Sequence, residues 1–170
     1  MLRVLVVEDE PVAAEAHTAY VSRVDGFEVV ATVGTSQAAL KTLQDKEIDV
    51  VLLDMNLPDR HGLDVVRAMR AAGHRADVIA VTSARDLDVV RAAVSLGIVQ
   101  YVLKPFVFAT LRERLLAYRA YRDQHGAGRE IEPNSSLLIP LGRCVVPAAR
   151  RPLSARSMSC WLATAAAPST

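Results

Sequence analysis

The sequence predicts an α/β fold in which a doubly wound parallel sheet is covered by helices on both faces. Short runs rich in β-branched residues alternate with longer segments whose apolar residues recur every three or four positions. The runs are apolar at almost every position, as in LRVLVV near the N-terminus, which is typical of strands buried on both faces. Turn and capping residues separate the segments. Parallel strands joined by crossover helices account for all three observations.

Five strands and five helices are predicted in alternation. The predicted strands are Leu2–Val7, Phe27–Val33, Asp49–Leu53, Val78–Thr82 and Gln100–Leu103. The predicted helices are Val12–Val24, Ser36–Lys46, Leu63–Ala72, Asp86–Leu96 and Phe108–Gln124. Pro11 suits a first helical turn, Thr35 or Ser36 an N-cap, and Gly73 and Gly97 the residues that follow helices. Apolar residues at Phe108, Leu111, Leu115 and Tyr118 predict the stripe with which the fifth helix packs on the sheet.

The chain divides into a folded part and a tail. With 170 residues, it is long enough for one domain with an appendage. Residues 1–124 are predicted to form the domain. Residues 125–170 contain five of the eight prolines and no sustained helical period, so a flexible, largely unstructured tail is predicted. From residue 126 onward there are five Arg and two Glu, which gives the tail a net charge of +3 and the preceding part −2.

Composition argues against several classes of protein. No apolar run approaches the roughly 20 residues that a membrane span needs, and the N-terminus lacks the core of a signal peptide; a cytoplasmic protein is therefore expected. Cys144 and Cys160 have no metal-ligand spacing, so neither a zinc site nor a disulfide is expected. The charge distribution by itself indicates neither a nucleic-acid groove nor a membrane face.

Charged and hydroxyl side chains stand where four of the predicted strands end. Glu8 and Asp9 follow the first strand, Asp54 the third, and Lys104 the fifth, while Thr82 ends the fourth. An isolated aspartate after a strand is usually a turn former. In open parallel sheets, however, ligands bind beyond the carboxyl ends of the strands. Four strands ending in this way predict a site at that edge.

The residue types at this edge predict phosphoryl chemistry. Clustered carboxylates repel one another, and a divalent cation relieves that repulsion. Hard oxygen ligands without a nearby His or Cys suit Mg²⁺. An ion there would orient a phosphoryl group toward a carboxylate nucleophile, with Lys104 and Thr82 holding phosphoryl oxygens. The four histidines are expected on the surface, because none has a paired Ser or Asp; they are His17, His61, His74 and His125.

These residues resemble the receiver domains of bacterial two-component response regulators. The resemblance covers residues 2 to about 124. The matching residues are Glu8-Asp9, Asp54 with Pro58 and Gly62 in the spacing D-x-x-x-P-x-x-x-G, Thr82, and Lys104-Pro105-Phe106. Stretches such as VEDEPVAAE, GFEVVATV and LRERLLAYRAYRD are most similar to the citrate and C4-dicarboxylate type of regulator. The resemblance implies a flavodoxin-like, CheY-like sheet with strand order 2-1-3-4-5.

The resemblance also implies a role for each site residue. Asp54 would be the phosphoacceptor, and Glu8, Asp9 and Asp54, with the backbone carbonyl of Asn56, would bind Mg²⁺. Lys104 would contact the phosphoryl group. The other implied features are the switch pair Thr82 and Tyr101, a cis peptide bond before Pro105, and the positions of Asn56 and Ala84 beside the water that hydrolyses the acyl phosphate.

The partners implied are a sensor histidine kinase and a second copy of the chain. A phosphorylated receiver would change the surface formed by its fourth helix, fifth strand and fifth helix, and charged residues there would pair across a phosphorylation-dependent homodimer. Such a protein catalyses only its own phosphorylation and dephosphorylation. By ancestry it would control transcription through a C-terminal helix-turn-helix domain. The tail contains no segment typical of a recognition helix, so DNA binding is not expected of it, and a frameshift or truncation of a longer gene is a hypothesis.

Three other functions remain open. A phosphohydrolase of the haloacid dehalogenase type would share the carboxylate nucleophile, but it typically has a second acid two residues later, where this chain has Asn56. A Rossmann-type nucleotide-binding module would need glycines in the first loop, which instead contains EDEPVAAE. The third alternative is a stand-alone receiver that acts through protein contacts.

Overall fold

The computed structural model of the protein describes residues 1–83 and 96–125. The strands are β1 Leu2–Val7, β2 Phe27–Val33, β3 Val50–Asp54, β4 Asp77–Thr82 and β5 Ile98–Leu103. Three helices lie between the first four strands, namely α1 Pro11–Ser22, α2 Ser36–Asp45 and α3 Gly62–Ala71. The helix Phe108–His125 follows β5 and is called the final helix below.

The strands form one parallel sheet in the order β2-β1-β3-β4-β5. The predicted doubly wound fold and its strand order are therefore confirmed. In the register, Val4 of β1 lies beside Val29 of β2 on one side and Val50 of β3 on the other. The strand order reverses at β1, because β2 and β3 lie on its opposite sides. The carboxyl ends of β1 and β3 thus border the crevice where such sheets bind ligands.

Two apolar layers sandwich the sheet, and all five residues of β3 are buried. One layer lies under α2 and α3 and includes Leu43, Leu63, Val66 and Met69. The other lies under α1 and the final helix and includes Val21, Leu111, Leu115 and Tyr118. Each fully buried aliphatic side chain contributes roughly 1.5–3 kcal/mol of hydrophobic stabilisation. This packing holds the carboxyl ends of the strands on a rigid frame.

The ends of the elements differ from the predictions by one or two residues in most cases. The side chain of Thr35 accepts a hydrogen bond from Ala38 N at 3.2 Å and so caps α2, as predicted. β3 ends at Asp54 rather than at Leu53, because Asp54 is still aligned with Val81 of β4. β5 begins at Ile98, two residues before its predicted start, directly after Gly97, which has a φ of +87°. Glycine adopts this left-handed conformation without strain.

The final helix carries the predicted apolar stripe. Leu111, Leu115 and Tyr118 are fully buried, and Phe108 is partly buried against the same layer. The predicted fourth helix, apart from Leu96, and the tail from residue 126 onward lie outside the described residues, so those two predictions remain predictions. None of the helices in the described part of the chain is long and apolar enough to cross a membrane.

Candidate functional site

The two predicted acid segments lie side by side at the carboxyl edge of the sheet. Glu8 follows β1, and its backbone N–H donates to Val33 O of β2 at 3.0 Å. Its side chain is buried, whereas Asp9 is exposed. Asp54 is the last residue of β3 and is only 4% exposed. The pairing of β1 with β3 therefore places a buried carboxylate from each strand on either side of the same crevice.

The loop after β3 is folded tightly beneath Asp54. Asn56 N donates to Asp54 Oδ1 at 3.1 Å, and Gly62 N donates to Met55 O at 2.8 Å. A Cβ atom at Gly62 would lie 2.8 Å from Met55 Cα and 2.9 Å from Asp54 O. Any residue other than glycine would push the backbone that carries Asp54. This close approach explains the glycine eight residues after Asp54 in the sequence pattern.

Lys104 links the two buried carboxylates. Its Nζ donates to Glu8 Oε1 at 3.0 Å, to Glu8 Oε2 at 2.8 Å and to Asp54 Oδ2 at 2.6 Å. Its backbone N–H donates to Thr82 O at 2.8 Å, and the peptide bond to Pro105 is cis. Burial alone would lower the pKa of Lys104, but the hydrogen bonds to Asp54 and Glu8 outweigh it and raise the pKa. The ammonium is therefore charged and fixed between the acids.

The acids outnumber the cation that holds them. Carboxylate oxygens of Glu8, Asp9 and Asp54 lie within 4.8 Å of one another. Burial raises the pKa of Glu8 and Asp54 raises it further, while Lys104 opposes both. Three oxygen donors that converge with an unrelieved repulsion fit a hard divalent cation such as Mg²⁺. The sequence predicts Mg²⁺ at this edge for the same reason.

The remaining predicted site residues occupy neighbouring strand ends. Thr82, at the end of β4, is fully buried, and its Oγ1 donates to Ser83 O at 3.3 Å. Tyr101 of β5 is only 7% exposed and packs in the layer under α2 and α3. Both members of the implied switch pair are therefore buried in this structure. Ala84 lies outside the described residues.

A comparison with known protein families identifies the family to which the chain belongs. Residues 4–116 match the family model described as the response regulator receiver domain. The chain belongs to this family. Receiver domains generally bind Mg²⁺ at an acidic pocket, and this chain has an acidic group at the carboxyl edge of its sheet.

Curated relatives of this receiver are named as transcriptional regulatory proteins or response regulators. The chain is 34% identical to the transcriptional regulatory protein MalR of Bacillus subtilis over 131 residues, which covers 77% of this chain and 56% of the relative. It is 34% identical to the probable C4-dicarboxylate response regulator DctR of Priestia megaterium, covering 70% of this chain and 52% of that protein. Identity to the transcriptional regulatory protein DcuR of Escherichia coli is 31%, covering 70% and 51%. The chain spans about half the length of the curated relatives it matches.

Solved receiver structures share the fold. A response regulator receiver domain protein from Clostridium thermocellum aligns with a TM-score of 0.64 at 26% identity, covering 73% of this chain and 98% of that one. The response regulatory domain of mrkE from Klebsiella pneumoniae also gives 0.64, at 24% identity, covering 72% and 99%. The second likeness concerns the fold alone.

His17 is the residue of the receiver site that sequence reasoning missed. It was expected on the surface, but it is only 6% exposed. Its Nδ1 lies 3.3 Å from Glu8 Oε2, and its ring stacks on Phe106 with centroids 4.9 Å apart. Burial, assisted by Lys104, lowers the pKa of His17 to about 4, although Asp54 acts in the opposite direction. The expectation that no histidine would lie near the acids is therefore also wrong.

A periodic signal for His17 was present in the sequence. Ala14, His17 and Val21 are the buried residues of α1, and they recur at intervals of three and four. The lack of a paired Ser or Asp says nothing about exposure, whereas the spacing places His17 on the buried face of the helix. His61 and His74 are half-buried, and His61 Nδ1 accepts a hydrogen bond from Leu63 N at 3.2 Å.

Proposed function

We propose that this receiver accepts a phosphoryl group on Asp54 from a sensor histidine kinase, with Mg²⁺ held by Glu8, Asp9, Asp54 and the backbone carbonyl of Asn56. The observation that carries the proposal is the position of Asp54. It is a buried carboxylate at the end of the central strand, with Lys104 Nζ 2.6 Å from its Oδ2 and two further acids beside it. A nucleophile, a fixed cation and a set of oxygen ligands therefore meet at one point.

In the proposed reaction a carboxylate oxygen of Asp54 attacks phosphorus. An O–P bond forms, the P–N bond to the kinase histidine breaks, and the histidine nitrogen keeps the electron pair of that bond. The product is an acyl phosphate on Asp54. Bound Mg²⁺ supplies charge neutralisation for the phosphoryl oxygens. Lys104 turns from Asp54 Oδ2 to a phosphoryl oxygen, and Thr82 donates its hydroxyl to another after leaving Ser83 O.

The decisive experiment is intact mass spectrometry after incubation with acetyl phosphate and Mg²⁺. The wild-type chain is expected to gain the mass of one phosphoryl group, and Asp54→Asn is expected to gain none. Asp64→Asn is the matched control, because it makes the same change on an exposed residue whose partner is Arg67 at 2.8 Å on the same helix. A gain that persists in Asp54→Asn would show that the acceptor is another residue.

We propose further that phosphorylation changes the surface of the fourth helix, β5 and the final helix and favours a homodimer. Support comes from two buried side-chain donors, one on β5 and one on the final helix. Gln100 Nε2 and Arg114 Nε are buried and have no hydrogen-bond partner in the described part of the chain. A buried donor without an acceptor costs about 1–3 kcal/mol, so a rearrangement that brings acceptors to this surface is favourable. Both members of the switch pair are buried, and the change at Thr82 is a turn of its hydroxyl from Ser83 O to the phosphoryl group.

Sedimentation velocity with and without beryllofluoride, which mimics the phosphoryl group, tests this second proposal. The wild type is expected to shift toward a dimer in the presence of beryllofluoride, whereas Asp54→Asn should not respond. A full shift from 1:99 to 99:1 needs about 5.5 kcal/mol of differential stabilisation. A monomer in both conditions, or an equal dimer in both, would favour a receiver that acts through contacts with other proteins.

The output of the whole protein is also a proposal, because the relatives named as transcriptional regulatory proteins extend well beyond this chain. We place the receiver domain at residues 1–124 and propose that the tail of residues 125–170 adds no sequence-specific DNA binding. At most it should associate weakly with DNA, and that association should fall with salt. Fluorescence anisotropy at physiological ionic strength with related and scrambled duplexes checks this, and a preference for one sequence would contradict it.

A further inference from the structure

His17 touches both of the segments that build the site. It projects from the buried face of α1, and its Nδ1 lies 3.3 Å from Glu8 Oε2. The interplanar angle of its stack on Phe106 is 17°, and Phe106 lies two residues after Lys104. The imidazole is thus inserted between the acid that follows β1 and the loop that follows β5.

We propose that His17 is a positioning residue that holds Glu8 in the orientation needed for Mg²⁺ binding and phosphoryl transfer at Asp54. The inference rests on the proposed function and adds a residue that does not touch the reacting atoms. A carboxylate only accepts hydrogen bonds, so the nitrogen facing it is the one that carries a proton. An imidazole can present N–H at Nδ1 in either protonation state, which makes the role independent of its charge.

The contact between His17 and Glu8 matters because Lys104, the other partner of Glu8, leaves it in the proposed reaction. In the present arrangement Lys104 Nζ donates to both oxygens of Glu8 and also to Asp54 Oδ2. When Lys104 turns to a phosphoryl oxygen, Glu8 loses its strongest partner while its side chain remains buried. His17 Nδ1, which lies 3.3 Å from Glu8 Oε2, can then donate to that oxygen. Partners that orient metal-binding side chains in this way typically change metal affinity by about 10–100-fold when removed.

The stack on Phe106 gives His17 a second role in the same geometry. Phe106 belongs to the same loop as Lys104, and the imidazole of His17 lies nearly flat against the phenyl ring. An aromatic side chain at position 17 can preserve that stack without offering a donor to Glu8. An asparagine can offer a donor close to the position of Nδ1 but cannot stack. The two contacts of His17 can therefore be removed one at a time.

The test uses the full chain with the substitutions His17→Phe and His17→Asn. Isothermal titration calorimetry with Mg²⁺ alone gives the dissociation constant, and intact mass spectrometry with acetyl phosphate gives the phosphorylation rate at low and at saturating Mg²⁺. His17→Phe is expected to weaken Mg²⁺ binding about tenfold and to slow phosphorylation at low Mg²⁺, with recovery at saturation. His17→Asn should retain most of the affinity. His74→Phe is the matched control at the opposite edge of the sheet.

Urea unfolding of each variant separates this role from packing. A variant that is merely less well packed loses free energy of unfolding and keeps its Mg²⁺ affinity. If His17→Phe binds Mg²⁺ as the wild type does, or if His17→Asn binds no better than His17→Phe, the proposed role is refuted while the proposed function stands. If the wild type itself binds no Mg²⁺ and gains no phosphoryl group, the proposed function fails first.

Discussion

Acidic residues lie at both edges of the sheet, but the charged and polar partners of these acids differ between the two edges. At the amino edge, Asp49 accepts hydrogen bonds from Arg3 N at 2.8 Å, Arg3 Nε at 3.2 Å and an Arg122 nitrogen at 3.2 Å. Tyr118 donates to Asp77 Oδ2 at 2.8 Å and accepts from Arg122 at 3.2 Å. At the carboxyl edge, Lys104 bonds to both Glu8 and Asp54, and Asp9 lies close to these two acids.

The pKa values of Asp49 and Glu8 shift in opposite directions. Burial alone would raise the pKa of Asp49, but Arg3, through its backbone and side chain, and Arg122 lower it. Glu8 shows the reverse, because burial and Asp54 raise its pKa against the effect of Lys104. At the amino edge, Asp49 is matched by guanidinium groups, whereas Asp77 accepts from Tyr118 and burial raises its pKa. At the carboxyl edge, three acids are balanced by the single positive charge of Lys104 among the described residues. Matched charges stabilise the fold, whereas the unmatched ones provide a binding site.

The largest expected effect comes from removing the only cation bonded to the acids of the carboxyl edge in the described part of the chain. Lys104→Met leaves the buried carboxylates of Glu8 and Asp54 without the positive charge that bonds to both of them. Breaking a buried ion pair on one side is strongly destabilising, and because the lysine side chain is 31% exposed, we expect a loss of about 3 kcal/mol. Urea unfolding in EDTA measures this loss, and Mg²⁺ should restore part of it by replacing the missing charge.

Lys46→Met is the control for that change. Lys46 is exposed, and its Nζ donates only to Val30 O at 2.9 Å among the contacts of the described residues. Its removal should cost less than about 1 kcal/mol. Equal effects of the two substitutions would mean that Lys104 is an ordinary surface cation and that the two edges of the sheet do not differ.

The next effect concerns the amino edge. Asp49→Asn keeps the shape of the side chain but weakens hydrogen bonds from two arginines, and we expect a loss of about 2 kcal/mol at pH 7. The folded pKa of Asp49 is lowered, so the unfolded chain takes up a proton first as the pH falls. The advantage of the wild type is therefore full above the ordinary aspartate pKa of about 3.9 and disappears as the pH falls through the lower folded value.

Urea unfolding of both proteins between neutral and acid pH measures this difference. Asp45→Asn serves as the control, because Asp45 is exposed at the same edge. A difference between the wild type and Asp49→Asn that stays constant down to low pH would contradict the assignment of the stabilisation to the Asp49 carboxylate.

The contrast between the two edges also explains what could be predicted from the sequence. The strand-end residues Glu8, Asp54, Thr82 and Lys104 were predicted to converge because parallel strands share one carboxyl edge, and the structure brings them together. The amino-edge network was not predicted. Arg122 lies 73 residues from Asp49 along the chain, and a charge on a surface helix carries no local signal of its partner.

His17 and Tyr101 were harder to place for related reasons. The depth at which each lies depends on neighbouring elements, namely Phe106 beside His17 and the layer under α2 and α3 around Tyr101. A polar or amphipathic side chain can face the solvent or the interior at the same helical or strand position. Periodicity alone therefore gives the face of the element but not the environment of that face.

A smaller effect is expected from Mg²⁺ binding at the carboxyl edge. A ligand that binds only the folded state raises the free energy of unfolding by mass action, by about 1.4 kcal/mol at tenfold excess over the dissociation constant. Asp9→Ala removes one of the three acids and should blunt this increase. Thermal unfolding with and without Mg²⁺ checks it, and an equal rise in Tm for both proteins would remove Asp9 from the site.

The smallest expected effect is a gain in stability for Asp9→Asn in the absence of divalent ions, whereas Asp49→Asn at the amino edge is expected to lose stability. Without divalent ions, Asp9→Asn removes a charge that is repelled by Glu8 and Asp54 but is itself exposed. Two unit charges about 4 Å apart repel by roughly 1 kcal/mol in water, so the variant should be more stable than the wild type by up to about 1 kcal/mol. Salt screens exposed charges, and the gain should therefore shrink at high ionic strength. Urea unfolding in EDTA at low and high salt measures this gain.

Because Asp49→Asn is expected to destabilise the protein under the same conditions, the change from aspartate to asparagine should alter the free energy of unfolding in opposite directions at the two edges. A loss of stability for Asp9→Asn in EDTA would mean that the acids of the carboxyl edge are already matched by the protein and leave no charge for a cation to neutralise.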